Sequence, residues 1–147
     1  MMPSKILALL FAFLVLGLSS GRAAEIIRVS LYHAVNTPPP PGVTLASEKM
    51  YHRLQAVFGF RYYVLLKGEN IQLTQNWEQW AVPRKDFFIR VEPLPAQPGQ
   101  PNLVDYEIYK GGFLVAQGRY EPHKGTPLFV NGPDYKQGRL VFVLDAR

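Results

Sequence analysis

Polar and apolar positions repeat with a helical period in one stretch of the chain. The apolar positions that share one face of this stretch are Met50, Leu54, Val57 and Phe58. Ser47 stands before them as a candidate N-cap, and Gly59 follows where a glycine commonly ends a helix. The pattern predicts one helix of about 12 residues, which must dock on a sheet because so short a helix is not stable alone.

The remaining apolar positions mostly alternate with polar ones, which is the period of a strand. They predict strands at residues 25–34, 60–66, 71–77, 86–92, 103–109, 113–120, 126–130 and 139–145. One strand, a short helix and a run of further strands, about seven or eight strands in all, predict an α+β fold in which the helix packs on a mostly antiparallel sheet.

One strand, one hairpin and one loop allow finer predictions. Residues 140–144 are all apolar, which indicates a central strand buried on both faces. In the hairpin 103–120, a three-residue loop at 110–112 pairs Ile108 with Leu114 and Tyr106 with Ala116, which keeps one face apolar. Asn, Gly and Pro residues in 131–138 predict a loop between the last two strands.

The first residues of the chain have the composition of a secretory signal peptide. Lys5 precedes an unbroken apolar run at 6–18, and small residues follow it. That run is shorter than the roughly 20 residues that a membrane-spanning helix needs. We expect cleavage after Ala23, so that residues 1–23 are removed and residues 24–147 form a single soluble domain in the periplasm or outside the cell.

Composition narrows the class of protein further. The chain has no cysteine, so the fold is expected to rest on core burial without disulfides. Two of the 16 Lys and Arg residues lie in the predicted signal peptide, which leaves 14 against 11 acidic residues and a net charge of +3. These charges are interspersed, whereas a nucleic-acid-binding protein usually carries a basic stripe. We therefore expect no nucleic-acid partner and no further membrane span.

No catalytic or metal-binding motif stands out. His33, His52 and His123 are far apart in sequence and lack the spacing of common metal sites, and no serine lies in a nucleophile elbow. Asp105 and Glu107 alternate along one strand and are expected to point away from its apolar face, as solvated strand charges do. The sequence therefore predicts no catalytic residues, no metal and no cofactor, and it favours a protein that is not an enzyme.

Candidate ligand-binding residues lie in two segments. Trp77 and Trp80 are followed by the basic pair Arg84 and Lys85, and tryptophan rings stack on sugars while basic side chains bind anions. Tyr135 lies in the predicted loop 131–138 among polar residues. We therefore take these five residues as the candidate ligand-binding set.

These observations favour a non-enzymatic binding domain exported to the cell envelope, whose partner is an envelope protein or polysaccharide. One alternative is a small secreted hydrolase whose carboxylates or histidines come together only in the folded chain. Another is a carbohydrate-binding module centred on Trp77 or Trp80. An exposed ring would favour that module, and burial of both rings would exclude it.

Overall fold

The structure of the protein is a computed structural model that describes residues 26–73, 87–94 and 96–147, and the backbone of residues 78–81. The predicted signal peptide and its cleavage site lie outside these residues. Within them the chain forms one helix, α1 (Glu48–Phe58), and eight strands. The strands are β1 (Ile26–Val35), β2 (Tyr62–Gln72), β3 (Glu78–Ala81), β4 (Phe87–Leu94), β5 (Leu103–Lys110), β6 (Phe113–Tyr120), β7 (Leu128–Tyr135) and β8 (Gly138–Ala146). The predicted α+β class, with one short helix and seven or eight strands, is confirmed.

The strands divide into two antiparallel sheets. The first sheet has the order β2-β1-β8-β7, and the second has the order β3-β4-β5-β6. A buried cluster holds Ile27 and Leu31 from the first sheet together with Ile89 and Ile108 from the second, so the two sheets pack face to face. Strand periodicity predicts that one face of each strand is buried, but it does not tell which strands share a sheet.

Strand β8 is central, as its apolar run predicts. It lies between β1 and β7, and residues 140–144 are all buried. Leu140, Phe142 and Leu144 face the second sheet, whereas Val141 and Val143 belong to a separate cluster beneath the helix. The protein therefore has three layers, with β8 contributing to both cores.

The helix begins and ends where the sequence predicts. The Ser47 hydroxyl accepts a hydrogen bond from the Met50 amide at 3.3 Å, and Gly59 adopts a left-handed backbone with φ of 76°. Leu54 lies on the inner face of the helix and is fully buried. Val57 is exposed, although the sequence assigned it to the same apolar face. The buried face is rotated towards Tyr51, which packs beside Leu54 and leaves Val57 at the margin.

The predicted three-residue loop of the β5–β6 hairpin is wrong. Lys110 pairs with Phe113 across a two-residue turn, and both turn glycines have positive φ. A β-bulge at Val115 then shifts the register, so that Ile108 pairs with Ala116 and not with Leu114. The bulge adds one residue to β6 and so keeps the apolar residues of the hairpin on one face. The prediction had obtained the same apolar face by adding that residue to the loop.

The predicted loop 131–138 is also wrong over most of its length. Strand β7 continues to Tyr135, and only the two residues Lys136 and Gln137 form the turn into β8. The register shifts between Asn131 and Asp134, where the strand accommodates a Gly-Pro pair. Proline is tolerated there because β7 is the edge strand of the first sheet.

Candidate functional site

Four of the five predicted ligand-binding residues remain predictions. Trp77, Arg84 and Lys85 lie outside the described residues. The backbone of Trp80 lies in β3 and pairs with Ile89 of β4, and its side chain is outside the described part of the chain. Tyr135 is described, and the structure places it at the end of β7.

Tyr135 links the two sheets at one end of the protein. Its ring meets the ring of Phe87, the first residue of β4, edge to face with 5.9 Å between centroids. On the other side it meets the imidazole of His33 at 5.0 Å, and His33 Nε2 donates a hydrogen bond of 2.9 Å to the Tyr135 carbonyl oxygen. Tyr135 is half-buried. Its contact with Phe87 joins the first sheet to the second at this end of the protein.

The turn after Tyr135 adopts an unusual backbone conformation. Lys136 and Gln137 have φ of 40° and 60°, a left-handed region that favours glycine. The next residue is held closely, since a Cβ on Gly138 would lie 2.2 Å from the Ala34 carbonyl oxygen. Because this contact fixes the start of β8, the strained backbone angles fall on Lys136 and Gln137 in the turn.

The β5–β6 turn lies at the same end as the β7–β8 turn. The Lys110 ammonium is 5.8 Å from the centre of the Phe87 ring, and the Lys136 ammonium is 5.4 Å from the centre of the Tyr135 ring. These contacts form a row from one turn to the other, in the order Lys110, Phe87, Tyr135 and Lys136. We call this region, formed by residues 110–115, Tyr135, Lys136 and the buried Phe87, the hairpin end.

The hairpin end also exposes three consecutive apolar side chains. Phe113 is 77% exposed, Leu114 45% and Val115 47%. They begin β6, which in the described part of the chain pairs with β5 alone and forms an edge of the second sheet. Sequence reasoning missed these residues because it assigned them to the strand interior. The signal was present as an apolar triplet directly after two glycines.

The outer face of the second sheet carries a paired set of charges. Arg119 Nε and Nη2 donate to the two carboxylate oxygens of Asp105 at 2.7 and 3.2 Å, and this hydrogen bonding holds the pKa of Asp105 below its ordinary value. The Tyr109 hydroxyl donates to the Glu107 carboxylate, which raises the pKa of Tyr109. Each carboxylate is thus engaged by a neighbour on the same face, as expected of solvated strand charges.

An aromatic pair extends this face. The rings of Phe88 and Tyr109 are stacked with 4.7 Å between centroids and 15° between planes. Because each ring covers one face of the other, only one face of each ring is left for other contacts. The pair is explained by cross-strand packing, since the two residues are direct partners in the β4–β5 register.

The three histidines lie in different places. His33 contacts Tyr135, His52 lies 3.9 Å from Glu48 on the helix, and His123 lies 3.2 Å from Glu121. Among the residues that the structure describes, no three His, Cys, Asp or Glu side chains are grouped closely enough to hold a metal ion. The described histidines therefore offer no common centre.

A cleft of about 280 Å³ lies between the start of α1 and the end of β8. Its cationic lining residues are Lys49, Arg53 and Arg147. Arg53 already donates to the Gly125 carbonyl oxygen at 3.3 Å, and Arg147 lies 3.7 Å from the Asp145 carboxylate. Two of the three cations are thus satisfied by the protein itself.

Comparison with known proteins gives no further guide to the site. No family model matches the chain, and no curated protein or solved structure is similar to it. Within the described ranges, no helix combines the length and the apolar character needed to cross a membrane.

Proposed function

We propose that the protein is an exported, non-enzymatic interaction domain of the cell envelope, and that it contacts its partner through the hairpin end. The observation that carries the proposal is that Phe113, Leu114 and Val115, three consecutive apolar residues at the start of β6, are all exposed. Single exposed apolar residues are common on protein surfaces and need no explanation. Contiguous ones more often mark an interaction site.

The position of the triplet supports this reading. Phe113 contributes little to the core because most of its surface remains in water, so burial within the domain does not account for the residue. Natural edge strands usually carry charges or prolines that discourage contact, whereas β6 begins with three apolar residues. An interaction with a partner accounts for both features.

Export is supported by the sequence alone. The order of a lysine, an apolar run and small residues in 1–23 is that of a signal peptide, and the absence of cysteine is compatible with an envelope protein that folds without disulfides. Mass spectrometry of the protein recovered from an exporting host tests this part. We expect the chain to begin at Ala24, and a chain that keeps its first residues would contradict export with cleavage.

Site-specific photo-crosslinking tests the interaction. Benzoylphenylalanine can replace Phe113 because this side chain is mostly exposed and leaves room for the added benzoyl group. The matched control carries it at Glu69, an exposed position on β2 at the edge of the first sheet. After irradiation of intact cells, we expect an adduct with an envelope component at position 113 and none at position 69. Equal labelling at both positions, or none at 113, would overturn the proposal.

A further inference from the structure

We propose that the partner of the hairpin end is an anionic lipid surface, into which Phe113, Leu114 and Val115 insert. This inference rests on the proposed function, since it takes the hairpin end as the contact surface and names what it contacts. Shape, charge and the irregular edge of β6 support it independently.

Shape and size favour a lipid surface over a folded protein. The triplet follows a two-residue turn of Gly111 and Gly112, so it lies at the tip of the β5–β6 hairpin. A stable protein interface buries about 800 Å² on each partner. Three partly exposed side chains supply only a fraction of that area, whereas a few apolar side chains together with basic residues are enough to hold a protein at a membrane surface.

The charge of the hairpin end complements anionic headgroups. Residues 109–115 include one charged residue, Lys110, which pairs directly with Phe113 in the hairpin. Lys136 adds a second cation at the neighbouring turn. The nearby Asp134 carboxylate lies 3.3 Å from Arg139, so its charge is balanced within β7 and β8. Lysines at the base of an apolar tip attract an anionic bilayer and orient the tip towards it.

The edge of β6 disfavours the main alternative, which is the addition of a strand from another protein. The bulge at Val115 interrupts the regular ladder within the apolar triplet itself. An irregular edge pairs poorly with an incoming strand, and bulges are one means by which proteins prevent such pairing. Insertion of side chains into lipid needs no regular edge.

A single fluorescent label tests insertion directly. Because the chain has no cysteine, Val115→Cys gives a unique attachment point for the environment-sensitive dye NBD, and Glu69→Cys on β2 is the control. Vesicles of mixed phosphatidylglycerol and phosphatidylcholine are compared with vesicles of phosphatidylcholine alone. We expect a blue shift and increased emission from position 115 on the anionic vesicles and no change at position 69. The label reports the environment of the tip itself, so the result does not depend on the state of residues 1–23.

Substitutions separate the apolar contribution from the charge. Phe113→Ser should weaken the tip response to anionic vesicles at least ten-fold, because it removes the largest inserting side chain. Lys110→Gln should weaken it about five-fold, with a smaller effect at high salt. Lys67→Gln removes the same charge from β2 and should have little effect.

The outcomes distinguish this inference from the proposed function. A label at position 115 that stays in a water-like environment on anionic vesicles would overturn lipid insertion, and so would an equal response at position 69. If the crosslink at position 113 then identifies a protein or a polysaccharide, the interaction domain stands and only the lipid partner is wrong. If position 113 also fails to crosslink, both proposals are wrong.

Discussion

At the scale of single residues, the β7–β8 turn holds two residues in strained backbone conformations. Lys136 and Gln137 occupy left-handed conformations that glycine or asparagine would adopt more easily. Gly138 cannot relieve them by moving, because it lies against the backbone of Ala34. The residue types at the turn are thus poorly matched to the backbone that the neighbouring contacts impose.

Gln137→Gly is expected to stabilise the protein. Removing a side chain from a left-handed position relieves a strain of about 1 kcal/mol, and the free energy of unfolding in urea should rise by that amount. The matched control is Gln117→Gly, an exposed position in β6 that is not among the positive-φ residues, where glycine brings no relief and only adds backbone freedom to the unfolded chain. That control should lower the free energy of unfolding by about 0.5–1 kcal/mol. A destabilised Gln137→Gly would contradict the strain.

At the scale of elements, one tyrosine joins the helix to the first sheet. The Tyr63 hydroxyl accepts a hydrogen bond from the Phe60 amide at 3.1 Å and donates one to the Leu54 carbonyl oxygen at 3.0 Å. Tyr63 is almost fully buried, and burial raises the pKa of its hydroxyl. The hydroxyl therefore stays protonated, as donation to Leu54 requires.

Tyr63→Phe should loosen this junction. The change keeps the ring but removes both hydrogen bonds, including the one that satisfies the partly buried Phe60 amide, which costs about 1–3 kcal/mol in the free energy of unfolding. The control is Tyr62→Phe, whose hydroxyl makes no hydrogen bond among the described residues, and we expect it to change stability by less than about 0.5 kcal/mol. Chemical denaturation measures both, and equal effects would show that the hydroxyl of Tyr63 is unimportant.

At the scale of the whole molecule, β8 ties the two cores together. Phe142 and its neighbours face the second sheet, and Val141 and Val143 face the helix. A change in either core therefore acts on a strand that the other core also needs. We expect the helix layer and both sheets to unfold as one unit.

Phe142→Ala tests this coupling. Phe142 is fully buried, and its truncation should lower the free energy of unfolding by about 3–5 kcal/mol. In each protein, the far-ultraviolet and near-ultraviolet circular dichroism signals should be lost at one common temperature. That temperature should be lower for the variant than for the original chain. Two separated transitions would mean that the cores unfold independently.

The helix and most strands could be predicted from sequence, but the turn predicted at 67–70 is wrong because β2 runs through it, and β3 was not predicted. The helix limits followed from Ser47 and Gly59, and the central place of β8 followed from its apolar run. The β5–β6 register could not be predicted in the same way, because a bulge and a longer loop both restore the apolar face. Of the candidate site, only Tyr135 could be located, and its aromatic partners come from distant parts of the chain.

The sequence by itself determined the helix limits and the apolar face of most strands, because both depend on spacing within a few residues. It did not determine every strand limit, since the strands predicted at 60–66 and 71–77 meet in the single strand β2. The tertiary structure alone decided how eight strands divide into two sheets, and which turns meet at the hairpin end. It also decided that Phe113 remains exposed while Phe87, another strand-starting phenylalanine, is buried. Burial depends on contacts with residues far away in sequence, and no local pattern contains them.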